Sequence, residues 1–174
     1  MIKVKISISK ITTPIGEMII GTTANGLCLL EFNDEKRLDR HFNKFAKDWE
    51  YELVEEENEL IINVQNQLNE YFSGNRKEFK IPFDYVGTDF QIKIWKELLT
   101  IPFGVTRSYK EQAIAIGNLK AIRAVATANG ENRMSIIIPC HRVIGSDGSL
   151  TGYGGGVWRK QKLLELETTQ IKLF

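Results

Sequence analysis

The spacing of apolar residues changes period once, near residues 84–88, and this restricts the chain to a two-part α+β fold. Before that point the short-range pattern is β. Val4, Ile6 and Ile8 alternate with polar residues, and Ile11-Thr12-Thr13-Pro14-Ile15-Gly16 reads as a turn. Met18–Thr23 and Leu27–Phe32 flank Ala24-Asn25-Gly26, a hairpin signal. A short amphipathic helix fits Arg37–Ala46, with Leu38, Phe42 and Phe45 inward. A second fits Glu59–Phe72, where Leu60, Ile61, Val64, Leu68 and Phe72 recur at helical spacing and Ser73-Gly74-Asn75 stops it. Lys80-Ile81-Pro82-Phe83 reads as a last edge strand, where proline is tolerated. From Thr88 onward the pattern is helical with short loops. Thr88 or Asp89 caps a helix carrying Phe90, Ile94, Trp95 and Leu98. The predicted domains are therefore 1–86, β-rich with a flanking helix, and 87–174, mostly helical.

A chain of 174 residues with 43% hydrophobic and 26% charged content can bury a core and reads as an ordinary soluble protein. Its longest apolar runs are too short to span a bilayer, and Met1–Lys10 lacks the apolar stretch of a signal peptide, so a cytoplasmic address is expected. The cysteines, Cys28 and Cys140, suit free thiols in a reducing compartment. Neither sits in a CxxC, and Cys28 with His41 falls short of a four-ligand zinc site, so neither metal nor cofactor is expected. The net charge of +1 says nothing about partners, but its distribution does. Glu31–Glu59 holds eleven acidic and five basic residues, whereas Val105–Gly145 holds six basic and two acidic. A polyanion would meet the second segment; solvated faces would give the same asymmetry.

Within that basic segment, Ser108-Tyr109-Lys110-Glu111 fits a capping box, and Gly117 a left-handed helix stop. Asn118 would cap a second helix over 119–129, making a helix-turn-helix. On a helical wheel Leu119, Ile122, Val125, Ala126 and Asn129 share one side, and Lys120, Ala121, Arg123, Ala124, Thr127 and Ala128 the other. Three alanines around one arginine leave two readings open: close packing on a neighbouring helix, or close approach to a DNA groove. A regulator that reads sequence would offer more side chains suited to base edges.

The densest chemistry lies in Ile136-Ile137-Ile138-Pro139-Cys140-His141-Arg142-Val143-Ile144-Gly145. A short buried strand would lead into the proline, with cysteine and histidine directly after it. A cysteine beside a histidine and an arginine is a candidate thiolate nucleophile, while an inert buried thiol is the plain alternative. Adjacent residues of a strand also point to opposite faces, so Cys140 and His141 need not interact. In the helix 157–168, Leu163, Leu164 and Glu167 share a face with Lys160. Glu167 either finds an interior partner, with His141 the obvious one, or reaches solvent.

Pro139-Cys140-His141-Arg142-Val143 matches the signature of the O6-alkylguanine-DNA alkyltransferases, and the chain resembles that family well beyond the pentapeptide. Phe90-Gln91-x-x-x-Trp95, Ile101-Pro102-Phe103-Gly104-x-x-x-Ser108-Tyr109, Gly117-Asn118-x-Lys120-Ala121-x-Arg123-Ala124-Val125, Asn132, and Gly152-Tyr153-x-Gly155-Gly156 through Lys160, Leu163-Leu164 and Glu167 follow in family order over about 88–168. The resemblance implies a ribonuclease H-like N-terminal domain and a C-terminal domain that binds DNA and takes the alkyl group onto Cys140. It implies activation of Cys140 by His141 and Glu167 through a water, with Asn132 as a hinge. Tyr109 would crowd the 3′ phosphate and donate a proton to guanine N3, and Arg123 would fill the gap left by a flipped base. Lys120, Ala121, Ala124, Thr127 and Arg133 would meet DNA. Tyr153, Ser135, Val143, Gly154 and Gly155 would line the alkyl pocket. The implied partner is double-stranded DNA carrying O6-alkylguanine, with no membrane role and a monomer in solution; O4-alkylthymine stays open as a second substrate.

Several positions depart from the family pattern. Leu119 stands where proline is common, leaving the second helix start less preorganised. Arg133 and Ser135 replace frequent prolines, so a phosphate contact from Arg133 and a looser pocket wall at Ser135 are expected. Gly154 replaces a serine of some members, which passes contacts with O6 to backbone N–H groups. Cys28 falls near a zinc-ligand position of some members, with no set to complete it, and reads as a core residue. A non-catalytic lesion binder would lack Cys140, and a cysteine hydrolase would need an oxyanion hole that nothing here marks. A transcriptional role would be an addition to repair, since no N-terminal zinc-cysteine sensor is present.

Overall fold

The computed structural model describes residues 2–172, with side chains in the last helix as far as residue 168. The chain forms two compact units, Met1–Gly87 and Thr88–Phe174.

In the first unit, β1 (Val4–Thr13), β2 (Gly16–Thr22) and β3 (Leu27–Phe32) form an antiparallel meander. A fourth strand, β4 (Tyr51–Glu55), pairs parallel to β1, giving the order β3-β2-β1-β4. The sequence pattern missed β4 because it is an exposed edge rich in glutamate, which blunts edge pairing but erases the alternation that marks a half-buried strand. Helix α1 (Glu35–Asp48) starts two residues earlier than the apolar spacing suggests, because Asp34 caps it through the Arg37 N–H. Helix α2 (Glu59–Phe72) is capped by Asn58. Ile6, Ile19, Cys28, Leu29, Phe45 and Val86 form a core cluster. Burial, with a smaller push from Asp84, raises the Cys28 thiol to about 12, so it stays protonated. His41 is likewise structural: with Arg37 it holds the buried Glu31 carboxylate, at 2.9 and 2.8 Å.

The edge strand expected at Lys80–Phe83 is reduced to one parallel bridge, Leu27 to Phe83. The Lys80 backbone is instead held by the Gln67 side chain, through bonds of 2.9 and 3.1 Å. This crossing explains Gly26: a Cβ there would lie 2.6 Å from the Pro82 carbonyl oxygen.

The second unit opens with α3 (Asp89–Leu98), closed by a capping box between Thr88 and Gln91. A two-residue strand β5 (Arg107–Ser108) precedes α4 (Tyr109–Ala115), which carries the predicted Ser108–Glu111 capping box. Gly117, at φ +76°, ends it. The second helix departs from expectation. Leu119–Ala121 is a single 3₁₀ turn, Asn118 makes no side-chain cap, and α5 runs Ile122–Gly130. A three-residue turn shifts the helical phase, so the wheel drawn from Leu119 is rotated. The inward face is Val125, Ala128 and Asn129, with Ala121 packed against the same cluster. Leu119, Ile122 and Ala126 face outward. The Trp95 indole donates to the Ala128 carbonyl at 2.9 Å, fastening α3 to α5.

Helices α4 and α5 are joined by a reciprocal amide pair. Gln112 donates to Asn129 at 2.9 Å and Asn129 returns a bond at 2.7 Å, both side chains buried. Gln112→Leu leaves Asn129 buried without its partner and is expected to cost about 1–3 kcal/mol in urea unfolding. Replacing both residues by leucine should recover part of that loss; a single variant as stable as the parent would remove the pair from the account of the helix-turn-helix.

Candidate active site

The strand expected at Ile136–Ile138 is not formed. These residues make a tight turn, with Ile137 N donating to Ser135 O at 2.9 Å and Ile138 N to Met134 O at 3.0 Å. Ile136 takes a φ of +73°, a strained conformation for a β-branched residue and one that a strand cannot contain. Cys140–Arg142 is a 3₁₀ turn, and the short strand, β6 (Val143–Ile144), follows the cysteine and pairs parallel with β5. The strand argument for separating Cys140 from His141 therefore does not apply.

Asn132 holds this turn shut. Its side-chain amide donates to the Ile138 carbonyl at 2.8 Å and to Cys140 Sγ at 3.2 Å, while its own oxygen accepts from Met134 N at 3.0 Å. Cys140 is 9% exposed.

Behind the cysteine lies a buried charge cluster centred on Glu167 of α6 (Val157–Lys172). One carboxylate oxygen faces His141 Nε2 at 2.8 Å. Arg142 grips both oxygens, at 2.9 and 3.0 Å, and spends a further N–H on Ile101 O at 2.7 Å. The Gly104 N–H completes the set at 3.2 Å. Burial favours a protonated Glu167, but its hydrogen bonds with His141 and Arg142 and the positive charge of Arg142 outweigh it and hold the carboxyl far below its ordinary range. Burial lowers His141, against the pull of Glu167, so its imidazole stays neutral. An ionised carboxylate only accepts, so Nε2 carries the hydrogen and Nδ1 is the basic nitrogen. Nδ1 is buried and bonds to none of the described residues. Arg142, expected beside the cysteine as a pKa-lowering charge, is committed to Glu167 instead.

The Tyr109 hydroxyl donates to Thr151 O at 3.0 Å and accepts from Lys160 Nζ at 3.5 Å. Burial raises its phenol, and the nearby Cys140 adds to that. Lys120 on the 3₁₀ turn and Arg123, Ala124 and Thr127 on α5 are exposed. Ala121 is partly buried against the Ile94–Val125 cluster. One other is corrected: Arg133 is 2% exposed with its guanidinium 5.4 Å over the Trp95 ring, which removes the expected phosphate contact. Of the pocket candidates, Ser135, Val143, Tyr153 and Gly155 are buried and Gly154 is exposed. Sequence reasoning missed the Arg142–Glu167 grip and the engagement of Lys160 with Tyr109; the inward position of Lys160 on its helix was the only signal for the second. Among the described residues no group of His, Cys, Asp or Glu could hold a metal ion.

Both buried partners make stability depend on pH with one sign. His141 binds its proton less readily folded than unfolded, so stability is full above its ordinary 6.5 and falls as pH drops below it. Glu167, also lowered, adds a second loss below its ordinary 4.5. Each group contributes a slope of at most about 1.4 kcal/mol per pH unit. In urea titrations Glu167→Gln should cost about 3–5 kcal/mol at neutral pH and flatten the acid limb below 4.5. An unchanged acid limb would exclude Glu167 as its source.

Two family models together match most of the chain: 6-O-methylguanine DNA methyltransferase, ribonuclease-like domain, over residues 6–85, and its DNA binding domain over 89–169. A methylated-DNA–protein-cysteine methyltransferase of Mycobacterium tuberculosis is 59% identical over 105 residues, 60% of this chain and 64% of that protein, so the match spans under two thirds of its length. The Methanosarcina barkeri protein of the same name is 42% identical over 93% of this chain and 97% of its own. The structure of Mycobacterium tuberculosis OGT in complex with DNA superposes with a TM-score of 0.79 at 41% identity, covering 95% of this chain and 94% of that one. The chain belongs to the methylated-DNA–protein-cysteine methyltransferase family.

Proposed function

We propose that this protein repairs duplex DNA by direct reversal, moving the alkyl group of O6-alkylguanine once and irreversibly onto its own Cys140. The observation that carries this reading is the order of contacts at one turn: Asn132 on Cys140 Sγ, with His141 next to it and already fixed on Glu167. The names of the relatives support the same substrate class.

The thiol proton passes to His141 Nδ1, directly or through one water, and Glu167 balances the imidazolium that forms. Sulfur then attacks the alkyl carbon: an S–C bond forms and the C–O6 bond breaks. Tyr109, whose proton rests on Thr151 O in the free protein, gives it to guanine N3 as the base leaves. The thioether so formed carries no leaving group that water displaces, so each molecule acts once. The nucleophile is nearly enclosed, and a base within the stack cannot bring its O6 substituent to it. The target nucleotide therefore leaves the duplex, with Arg123 entering from the exposed face of α5, and Tyr153, Ser135, Val143, Gly154 and Gly155 walling the alkyl group. The protein works as a cytoplasmic monomer in which residues 1–86 form the ribonuclease-like domain and 87–174 carry DNA binding and transfer. No described helix is long and apolar enough to cross a membrane.

Incubation with duplex DNA carrying O6-methylguanine should add one methyl group to the peptide containing Cys140, in stoichiometric yield, with guanine restored. No gain, or multiple turnover, would overturn the reading. Cys140→Ala should abolish transfer and keep DNA binding. His141→Gln should slow transfer by about 10²–10⁴-fold, and Arg123→Ala should chiefly weaken flipping, read by a fluorescent base at the lesion. Ser135→Pro should slow benzyl transfer relative to methyl; an unchanged ratio would remove Ser135 from the pocket wall.

A further inference from the structure

Alkyl transfer by the proposed route creates two charges in a closed site. The thiol proton makes an imidazolium of His141, which faces the Glu167 carboxylate at 2.8 Å. The proton given to guanine N3 leaves a phenolate at Tyr109, and a buried charge without a partner is costly. The cation in contact with that oxygen is Lys160. It has no exposed surface, although lysine is almost never fully buried without a charge partner. Its ammonium donates to the Tyr109 hydroxyl at 3.5 Å and to Thr151 O at 3.1 Å, and lies 5.7 Å from the Tyr109 ring centre. The Tyr109 hydroxyl donates to the same Thr151 carbonyl at 3.0 Å, so the three groups close one triangle.

Before reaction this ammonium has no counter-charge. Among the described residues no carboxylate pairs with it. On the 140–142 turn, His141 is neutral and Arg142 is taken by Glu167. On α4, the exposed Glu111 is turned to the Ser108 N–H at 2.7 Å. Both oxygens that Lys160 touches are neutral, so its hydrogen bonds are weak at this stage. Once Tyr109 has lost its proton, the same contact becomes a charge-assisted bond in a low-dielectric place. An interaction that strengthens only as the proton leaves lowers the barrier and not the ground state. Burial pushes the Lys160 ammonium down and the Tyr109 phenol up, a penalty on each charge alone that the pair offsets.

We infer that Lys160 is the counter-cation of the Tyr109 phenolate, a positioning residue that acts through Tyr109 on the protonation of guanine N3. The phenolic O–H bond breaks and leaves its electron pair on oxygen. The N3–H bond forms, and the pair released from the C–O6 bond spreads into the departing purine. Lys160 keeps its own proton throughout. This rests on the proposed reaction, with Cys140 as alkyl acceptor and Tyr109 as acid.

Single-turnover methyl transfer at saturating protein separates this role from a structural one. Two duplexes are compared, one with O6-methylguanine and one with O6-methyl-3-deazaguanine, whose carbon at position 3 takes no proton. Lys160→Met keeps the length of the side chain and removes its charge. It should slow transfer from O6-methylguanine about tenfold, the equivalent of one pKa unit at Tyr109, and leave transfer from the 3-deaza base near the parent rate. Equal slowing of both, the mark of a lysine that merely pins the loop at Thr151, overturns the inference, as does slowing of neither. In a Tyr109→Phe background Lys160→Met should cost nothing further on O6-methylguanine; a second tenfold loss there overturns it too. A parent protein that moves no methyl group at all sinks the repair reading itself, and this inference with it. If Lys160→Met does not fold, nitrogen NMR of the Lys160 ammonium decides. In Tyr109→Phe, which removes one of its two oxygen partners, the ammonium should lose its proton at lower pH than in the parent protein. Equal titration in the two would refute the pairing.

Discussion

A single buried carboxylate organises the second unit. Glu167 accepts from His141, from both arms of Arg142 and from the Gly104 N–H, and so ties α6, the 140–142 turn and the loop after α3 to one point. Such a cluster is a poor source of net stability, because taking the charges out of water costs about what their attraction returns. What it gives is geometry and protonation state. An ionised Glu167 fixes which imidazole nitrogen carries hydrogen, and that decides which nitrogen can take a proton. Arg142 reinforces this, since its guanidinium holds both carboxylate oxygens and favours the ionised acid.

The cysteine itself is held from the other side by a neutral group. Asn132 uses every polar atom of its side chain on the turn between Met134 and Cys140. That turn contains Ile136 at positive φ, a cost of order 1–3 kcal/mol that persists only where surrounding contacts over-determine the backbone. Asn132 supplies the polar part of that constraint. The complete burial of Met134 and Ile138, and near-complete burial of Ile136, supplies the apolar part. The turn aims Sγ at the amide rather than along a strand, which explains why a segment with three successive isoleucines is not β.

How much of this the sequence disclosed follows from the range of the interactions. The Ser108–Glu111 capping box is set within four residues and can be read directly, while at the helix before it the sequence leaves Thr88 or Asp89 as the cap and the structure selects Thr88. The pairing of Glu167 with His141 spans 26 residues and appeared only as one of two options. The family resemblance implies Cys140 as the reactive cysteine, with Asn132 as a hinge, without the bonds that join them. Features that depend on backbone phase were misplaced: the 3₁₀ turn at Leu119–Ala121 rotated the face of α5 and moved Ala121 and Ala128 inward. Arg133 was misjudged because its charge suggested DNA, whereas an arginine stem and guanidinium can be buried flat against an indole. Strand β4 carried no signal, since an acidic edge strand has no buried face to alternate against.

The two alternatives posed for the small-sided helix turn out to divide among its alanines. Ala121 and Ala128 pack inward, where their size lets α5 lie close to α3, while Ala124 and Ala126 face outward beside Arg123. Neither use requires the other, but on the proposed reading the same short helix serves both. Close packing on the inner side fixes where the outer side sits, through the Trp95 bond to Ala128 and the Gln112–Asn129 pair. Asn129 and Asn132 lie three residues apart, and a backbone bond of 3.2 Å joins them. The helix that would meet DNA is thus continuous, through that bond, with the amide that holds the cysteine. On the proposed reading, loss of the Asn132–Cys140 contact when sulfur becomes a thioether would be felt first at the end of this helix. On that reading the nucleophile and the DNA face are mechanically one element.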